Sequence, residues 1–461
     1  MSIQVPTLSV RVLEQDTKSA STDDEYINCI IDKHLQFNMS KLSDYFFTEW
    51  EPIIYDMLLL AAAVEFCDRT KRRPSGGWGR QIKLQVPVHD PAHWNSNEVI
   101  TSLHDALSFL TGDNWKLSFS QRKKAHLGTK ESLLKIKPLS AKVIMPFSDG
   151  LDSLAVGKII DKEYEERVPR LRLGSKKENM TTDSDYFVSI PYKIKPANRF
   201  DESSVRSRGF KFSLLTGIAA YLSNIERIII PESGQGALGP TLVPVAQTYE
   251  DYRNHPEFLS KIEILFQALL SYKVTYDFPR LWFTKGQTVS EYLSLYPNDS
   301  SWKDTKSCWQ DATKVSVNGK KRQCGVCAAC MLRRLSVHAA GQDEDQKTYI
   351  WEDLKVKEYS DGAAVGFNNT RARGAMYEYA IAGTLHFDHL ASIGSLENQG
   401  NFIDRRCFTL SNTLNTSKSE VKKKLQTLLN QHSNEWKRYI GSLGEDSFIR
   451  KWAITGSKDG Y

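Results

Sequence analysis

The chain has 461 residues, with 61 Lys and Arg against 55 Asp and Glu and a formal net charge of +6. At 40% hydrophobic and 25% charged residues it reads as a soluble globular protein, too long for one ordinary core, so two or three domains are expected. The mild charge suits a polyanionic small molecule as well as nucleic acid and selects neither. Met1-Ser2-Ile3-Gln4 opens no basic, apolar leader, and the most apolar run, Met57 to Val64, is far below the roughly 20 residues that span a bilayer. No membrane association is expected, and the expected compartment is the cytoplasm.

Residues 1–140 read as an α+β accessory domain. Ile3 to Leu13 has strand character, Glu51 to Arg69 is an apolar-rich helix, Gln81 to Val88 alternates like a strand, and Glu98 to Leu110 is helical. Between them, Arg72 to Arg80 form a Gly-rich loop flanked by arginines and carrying Trp78. Nucleic-acid binding through that loop is a weak alternative to simple packing of the tryptophan. The stretch from Arg122 to Lys142 carries seven Lys/Arg against one Glu and reads as a solvated linker rather than an anion-binding surface.

Residues 141–345 alternate strand and helix. Val143–Phe147 is a strand followed by a helix to about Glu165. Further strands are expected at Arg170–Leu173, Tyr186–Ile190 and Arg227–Pro231, with a polar loop from Gly174 to Asp185 and a helix from Gly209 to Leu222. This alternation predicts an α/β fold with a doubly wound parallel sheet, in which ligands sit beyond the carboxyl ends of strands. Ser148-Asp149-Gly150-Leu151-Asp152-Ser153 lies at such an end, and Glu232-Ser233-Gly234 at another. A strand-to-helix turn presents backbone N–H groups and a positive helix end, which suits phosphate. Ser148 and Ser153 supply hydroxyl donors, Gly150 permits close backbone approach, and Asp152 is placed to hold Mg²⁺. An ordinary Asp/Ser helix cap is the plain alternative.

Cys324-Gly-Val-Cys327-Ala-Ala-Cys330 follows Cys308 across a polar stretch containing Asn318-Gly319. Four thiolates from two chain segments make a closed tetrahedral zinc site, with Gly325 easing the turn around the ion. Such a site is structural: a zinc-knuckle insertion. Residues 346–461 read as mostly helical, with Val421, Leu425, Leu428, His432, Trp436 and Tyr439 on one packing face. His386 and His389, three apart on a probable helix, read as packing or surface histidines rather than metal ligands.

The loop resembles the pyrophosphate loop (Ser-Gly-Gly-x-Asp-Ser) of the N-type ATP pyrophosphatases. Together with Cys-x15-Cys-x2-Cys-x2-Cys and Arg333 just after it, the chain resembles the 7-cyano-7-deazaguanine synthase family (QueC) over about residues 141–340. Arg206-Ser207-Arg208-Gly209, Pro231-Glu232-Ser233-Gly234 and Thr284-Lys285-Gly286-Gln287 add to the likeness. The flanking regions are similar to those of the longer QueC-like proteins of bacterial anti-phage operons.

The resemblance implies an adenine nucleotide alpha hydrolase-like fold, and ATP, Mg²⁺ and Zn²⁺ as cofactors. It implies an enzyme that adenylates 7-carboxy-7-deazaguanine, releases pyrophosphate, and passes the acyl group to ammonia or another amine. A protein of the same operon is one implied acceptor. Ser148, Asp152, Ser153, Arg206, Arg208 and Lys285 would carry the chemistry. Ser148 to Ser153, including Asp149, Gly150 and Leu151, would bind the nucleotide with Glu232, which would read a base edge. Asp149 stands where the family usually carries Gly. Two alternatives stay open: a pyrophosphate-loop tRNA thiolase with an iron–sulfur cluster, and a catalytically inactive nucleotide-sensing scaffold of a defence complex.

Overall fold

The computed structural model describes residues 5–14, 25–37, 51–74, 79–123, 141–172, 187–188, 192–197, 199–246, 248–310, 315–367, 370–395 and 400–458. The expected strand start at Ile3, Trp78, most of the Arg122–Lys142 stretch, the Gly174–Asp185 loop and the ends of the Tyr186–Ile190 strand lie outside the described residues. The chain forms two compact units that interleave along the sequence. One comprises residues 1–146, 168–230 and 251–277; the other comprises 147–167, 231–250 and 278–461. No described helix is long and apolar enough to cross a membrane.

In the first unit, strands β1 (Thr7–Leu13), β2 (Ile27–Ile30), β4 (Gln81–Val88) and β5 (Asn114–Gln121) pair in the order β2-β1-β4-β5. Every pairing is parallel. The α+β reading of this region is therefore corrected to a parallel α/β sheet. Parallel neighbours need crossovers, and the helix Asn97–Thr111 supplies the one from β4 to β5. Ser96 caps that helix and Gly112, in the left-handed region, ends it. Strand β3 (Leu35–Phe37) pairs antiparallel with a later strand, Tyr192–Ile194. The helix Pro52–Thr70 starts with proline in its first turn and buries a continuous run from Ile54 to Asp68. Its apolar residues pack on β4.

Strands β6 (Val143–Phe147), β7 (Arg170–Arg172), β8 (Phe187–Val188), β10 (Arg227–Ile229) and β11 (Thr275–Asp277) order as β11-β10-β6-β7-β8, β9 being the Tyr192–Ile194 strand just named. The chain starts in the middle of this sheet, moves out through β7 and β8, and returns to β10 and β11 on the other side. β6–β10, β10–β11 and β7–β8 are parallel. Ile228 and Ile229 are buried, as an interior strand requires. The strand order agrees with the alternation read in the sequence.

The second unit is largely helical. Leu151, Ala155 and Ile159 of the helix Leu151–Glu163 pack against Val289 and Tyr292 of the helix Lys285–Leu295 and Val337 of the helix Ala328–Ala339. The helices Thr370–Ser395, Gly400–Thr413, Lys418–Ser442 and Phe448–Lys458 complete it. The Val421–Tyr439 stripe is buried as expected, shared between two apolar clusters.

Candidate metal centre and anion-binding loop

Cys308 and the Cys324–Cys330 knuckle meet in the second unit, with their four Sγ atoms all within 4.8 Å of one another. Cys324 Sγ and Cys330 Sγ are 3.8 Å apart. Sulfurs on a tetrahedron with Zn–S of about 2.3 Å would stand ~3.8 Å apart, so the donor set fits zinc. Three thiols are fully buried. Backbone N–H groups of Cys324 and Gln310 point at Cys308 Sγ (3.2 and 3.4 Å), and that of Cys327 at Cys324 Sγ (3.3 Å). Donors of this kind stabilise thiolate over thiol. The Cys308 thiol is held below its usual range by the other three S–H groups; burial pushes Cys330 up.

Gly325 has φ +86°, and a Cβ there would meet Arg334 Nη2 and Trp351 O at 3.0 Å, so both conformation and space demand glycine. The hairpin Ser316–Val317 and Lys320–Lys321 turns through Asn318 and Gly319, both at positive φ. Gln323 Oε1 accepts from the N–H groups of Ser307 and Cys308 (2.7 and 3.2 Å), fixing the distant ligand. Arg333 is fully buried and ties the knuckle helix to the preceding segment: it donates to Thr305 O (3.0 Å) and Trp302 O (3.0 Å) and pairs with Glu344 at 2.7 Å. It is a clamp rather than a ligand.

The same unit holds the loop. Ser148 Oγ and Ser153 Oγ lie 2.9 Å apart, the Ser148 N–H donates to Ser153 Oγ (3.1 Å), and the Gly150 N–H faces Ser148 Oγ (3.3 Å). Lys306 N donates to Asp149 O at 2.7 Å, anchoring the turn from outside. Gly150, which has no side chain to cap with, is the N-cap of the helix Leu151–Glu163. The two serines bond within the turn. Asp149 is not among the positive-φ residues, so the turn does not require glycine there.

Lys285 Nζ meets Asp152 Oδ2 at 2.5 Å, with side chains 5% and 18% exposed. Asp152 Oδ1 is buried with no hydrogen-bond partner among the described residues. That orphaned oxygen, next to the serine-lined turn, has the chemistry of a ligand for a hard cation. Glu232 belongs to this unit and lies against Gly236, whose hypothetical Cβ would meet its Oε1 at 2.1 Å.

The turn bearing Lys285 is held partly by its own motif residues and partly by Gln235 and Glu435, which sequence reading did not single out. Thr284 and Gln287 form a capping box. Thr284 Oγ1 also donates to Glu435 Oε1 (2.6 Å), and the Lys285 N–H to Gln235 Oε1 (2.8 Å). Gln235 Nε2 in turn lies 2.8 Å from His432 Nδ1, whose Nε2 is 2.9 Å from Phe387 O. A carbonyl accepts only, so Nε2 carries the proton and Nδ1 accepts from the Gln235 amide. Burial holds the His432 pKa down at about 4, keeping the ring neutral. Burial also raises the carboxyl of Glu435. The only clue in the sequence was a polar histidine in an otherwise apolar stripe.

His386 is buried, its pKa lowered to about 4 by burial, with Nδ1 2.7 Å from Val243 O. It packs, as expected. Arg206 and Arg208 lie in the first unit. Arg206 donates to Thr111 O (2.9 Å), and burial with nearby Arg73 lowers its pKa to about 10, still a cation at neutral pH. The Arg208 guanidinium covers the Phe212 ring at 4.9 Å. In the Arg72–Arg80 loop, Arg73 and Arg80 are buried against Asp68 and Asp113 at 2.6–2.8 Å. Committed to those carboxylates, the two arginines are unavailable to nucleic acid.

Residues 240–341 match the family model of the queuosine biosynthesis protein QueC. The matched stretch holds Lys285, all four cysteines and Arg333. It supports a QueC-like family and an ATP-using enzyme of the 7-deazaguanine-synthesis type. The match does not extend to the Ser148–Ser153 loop or to the helix that braces Lys285. No curated protein matches the chain.

Proposed function

We propose that the protein is an ATP-dependent ligase-like enzyme that adenylates a carboxylate, 7-carboxy-7-deazaguanine or a close relative. The acyl group then passes to ammonia, giving the amide, or to another amine, giving a conjugate. A second ATP adenylates the amide oxygen with loss of pyrophosphate, so that AMP leaves and the nitrile of 7-cyano-7-deazaguanine forms. The observation that carries this reading is the pairing of Lys285 with Asp152 beside a serine-lined helix N-terminus, within the unit that holds most of the QueC-like stretch.

The proposed roles are these. Ser148, Ser153 and the N–H groups opening the Leu151–Glu163 helix bind the phosphates of ATP. Lys285, released from Asp152 as the anion enters, neutralises charge at the α-phosphate while the substrate carboxylate attacks phosphorus and pyrophosphate leaves. Asp152 would hold Mg²⁺, which supplies charge neutralisation of the departing pyrophosphate. Arg206 and Arg208 are assigned an oxyanion-binding role by the resemblance alone, and Glu232 is proposed to bind a base edge. The amine then attacks the acyl carbon, AMP leaves, and the amine proton passes to solvent. Zn²⁺ would be held by Cys308, Cys324, Cys327 and Cys330 as a cross-link. The four-sulfur donor set supports this over a three-cysteine iron–sulfur thiolase. We further propose, from the long flanking regions alone, a QatC-like role in a bacterial anti-phage system, in the cytoplasm, with a protein of that system as a possible acceptor.

The test is one incubation with Mg-ATP and 7-carboxy-7-deazaguanine, with and without ammonia, reading AMP, pyrophosphate and product masses by mass spectrometry. AMP that appears only with the acid supports the reading. Zinc-loaded protein that binds ATP but forms no acid-dependent AMP overturns it and favours the nucleotide-sensing scaffold.

A further inference from the structure

The β2-β1-β4-β5 sheet has chemistry at its carboxyl edge that the proposed reaction does not use. Glu14 directly follows β1, His89 directly follows β4, and Arg122 directly follows β5. The edges are level: the Arg122 N–H donates to Val88 O at 2.8 Å and the Lys123 N–H to Glu14 Oε2 at 2.8 Å. The chain leaves β1 toward β2 on one side and β4 toward β5 on the other. The crevice between β1 and β4 is therefore a topological switch point, where open parallel sheets bind ligands.

Tyr55 and Asp56, from the first turn of the Pro52–Thr70 helix, meet these three residues. The Arg122 guanidinium lies 4.0 Å from the Tyr55 ring centroid, and the His89 ring meets the same ring edge-on at 6.3 Å. Asp56 is 1% exposed and grips His89 twice: Oδ2 accepts the backbone N–H (2.9 Å) and Oδ1 faces Nδ1 (2.8 Å). The carboxylate thus holds the proton on Nδ1 and presents Nε2 as a lone pair. Arg122 and Glu14 side chains are each 6% exposed, with Nε 3.3 Å from Glu14 Oε1. Three polar atoms here are buried without a hydrogen-bond partner among the described residues: His89 Nε2, an acceptor, and Arg122 Nη1 and Nε, donors, of which Nε is within ion-pair range of Glu14. Orphaned buried groups of opposite hydrogen-bonding sense, both against one tyrosine ring, ask for a ligand that answers both.

We propose that this edge is a second small-molecule site, for a ligand carrying an oxyanion, carboxylate or phosphate, together with a hydroxyl. The oxyanion accepts from Arg122 Nη1 and the hydroxyl donates to His89 Nε2.

The test uses the full chain with ¹⁵N-labelled histidine, following imidazole resonances in long-range ¹H–¹⁵N spectra, with H89Q for assignment. The probes are inorganic phosphate and glycolate, which carry both groups, and sulfate and acetate, which lack the hydroxyl at neutral pH. His89 is expected as the Nδ1–H tautomer, its Nε2 resonance shifting saturably with phosphate or glycolate and at least about tenfold more weakly with sulfate and acetate. Whichever of the first two binds tighter names the source of the oxyanion. R122Q is expected to weaken that response by at least about tenfold while the tautomer stays. A Nε2–H tautomer, no shift with any probe, or an unchanged response in R122Q overturns the proposal. None of these readouts depends on AMP formation, so failure here leaves the ligase reading standing.

Discussion

Removing the Lys285 ammonium separates the two things its ion pair does. Lys285 and Asp152 are 2.5 Å apart and 5% and 18% exposed, so neither is well solvated. Deleting one partner of a buried pair costs about 3–5 kcal/mol, and the partial exposure of Asp152 lowers the expectation for Lys285→Met to about 2–3 kcal/mol. Asp152 would then keep a buried carboxylate with neither oxygen bonded, since Oδ1 already has no partner among the described residues. Adding Asp152→Asn removes that charge, and the double variant should recover most of the stability, leaving a coupling of about 1.5–3 kcal/mol in the cycle. Catalysis should not recover. Loss of a preorganised cation at a reacting phosphate lowers turnover by about 10²–10³. Urea melts give the stability cycle, and acid-dependent AMP release gives the rate. A double variant that regains activity along with stability, or a single variant that keeps wild-type AMP release, would refute the assignment of Lys285 to the reaction.

Metal analysis should find about one zinc per chain and no iron; chelation should lower the melting temperature and zinc restore it, whereas a brown, iron-containing protein would reverse the assignment. Burial raises the Glu435 carboxyl, so its favourable contribution is whole below the unfolded value near 4.5 and is lost as pH climbs through the higher folded value. Glu435→Gln should therefore match the parent in acid and exceed it in stability near neutrality, as melts across pH will read. Arg80 faces Asp68 and Asp113 at 2.8 and 2.7 Å, all three nearly unexposed, so Arg80→Met should cost about 3–5 kcal/mol in urea unfolding and be insensitive to salt. Gly325→Ala, at φ +86° with backbone oxygen 3.0 Å from the new Cβ, should weaken zinc retention in a chelator competition; unchanged retention would show that the knuckle tolerates another turn.

What the sequence made legible was local. Cys324, Cys327 and Cys330 stand at knuckle spacing, and Cys308 meets them as a site of four thiolates for zinc would require. The strand before Ser148 and the helix after it are written in Val143–Phe147 and in the apolar period beginning at Leu151. The parallel character of the first sheet was not legible, because β1 and β4 are neighbours across more than 60 intervening residues and pairing direction leaves no mark on either strand. Asp56 and His89 are 33 positions apart, and nothing in either neighbourhood points to the other. What Arg73 and Arg80 pair with was equally hidden: the buried carboxylates of Asp68 and Asp113 that hold them carry no mark in the sequence of the loop.

The same distance separates Lys285 from what aims it. The QueC-like stretch ends at residue 341, yet the turn that carries the lysine is fastened from both sides of it. Gln235 takes the Lys285 backbone N–H, His432 sets the Gln235 amide, and Glu435 takes the Thr284 hydroxyl. Each contact depends on the others. Were His432 protonated, Nδ1 would present a donor to the Gln235 amide and turn its oxygen away from Lys285; the burial that keeps His432 neutral therefore also keeps the amide in register. The helix Lys418–Ser442 is in this sense part of what positions Lys285, although no residue of it carries a recognisable motif. A QueC-like core that lacked such a helix would need another way to hold Thr284 and Lys285, which makes the C-terminal region a structural partner of the site rather than an appendage.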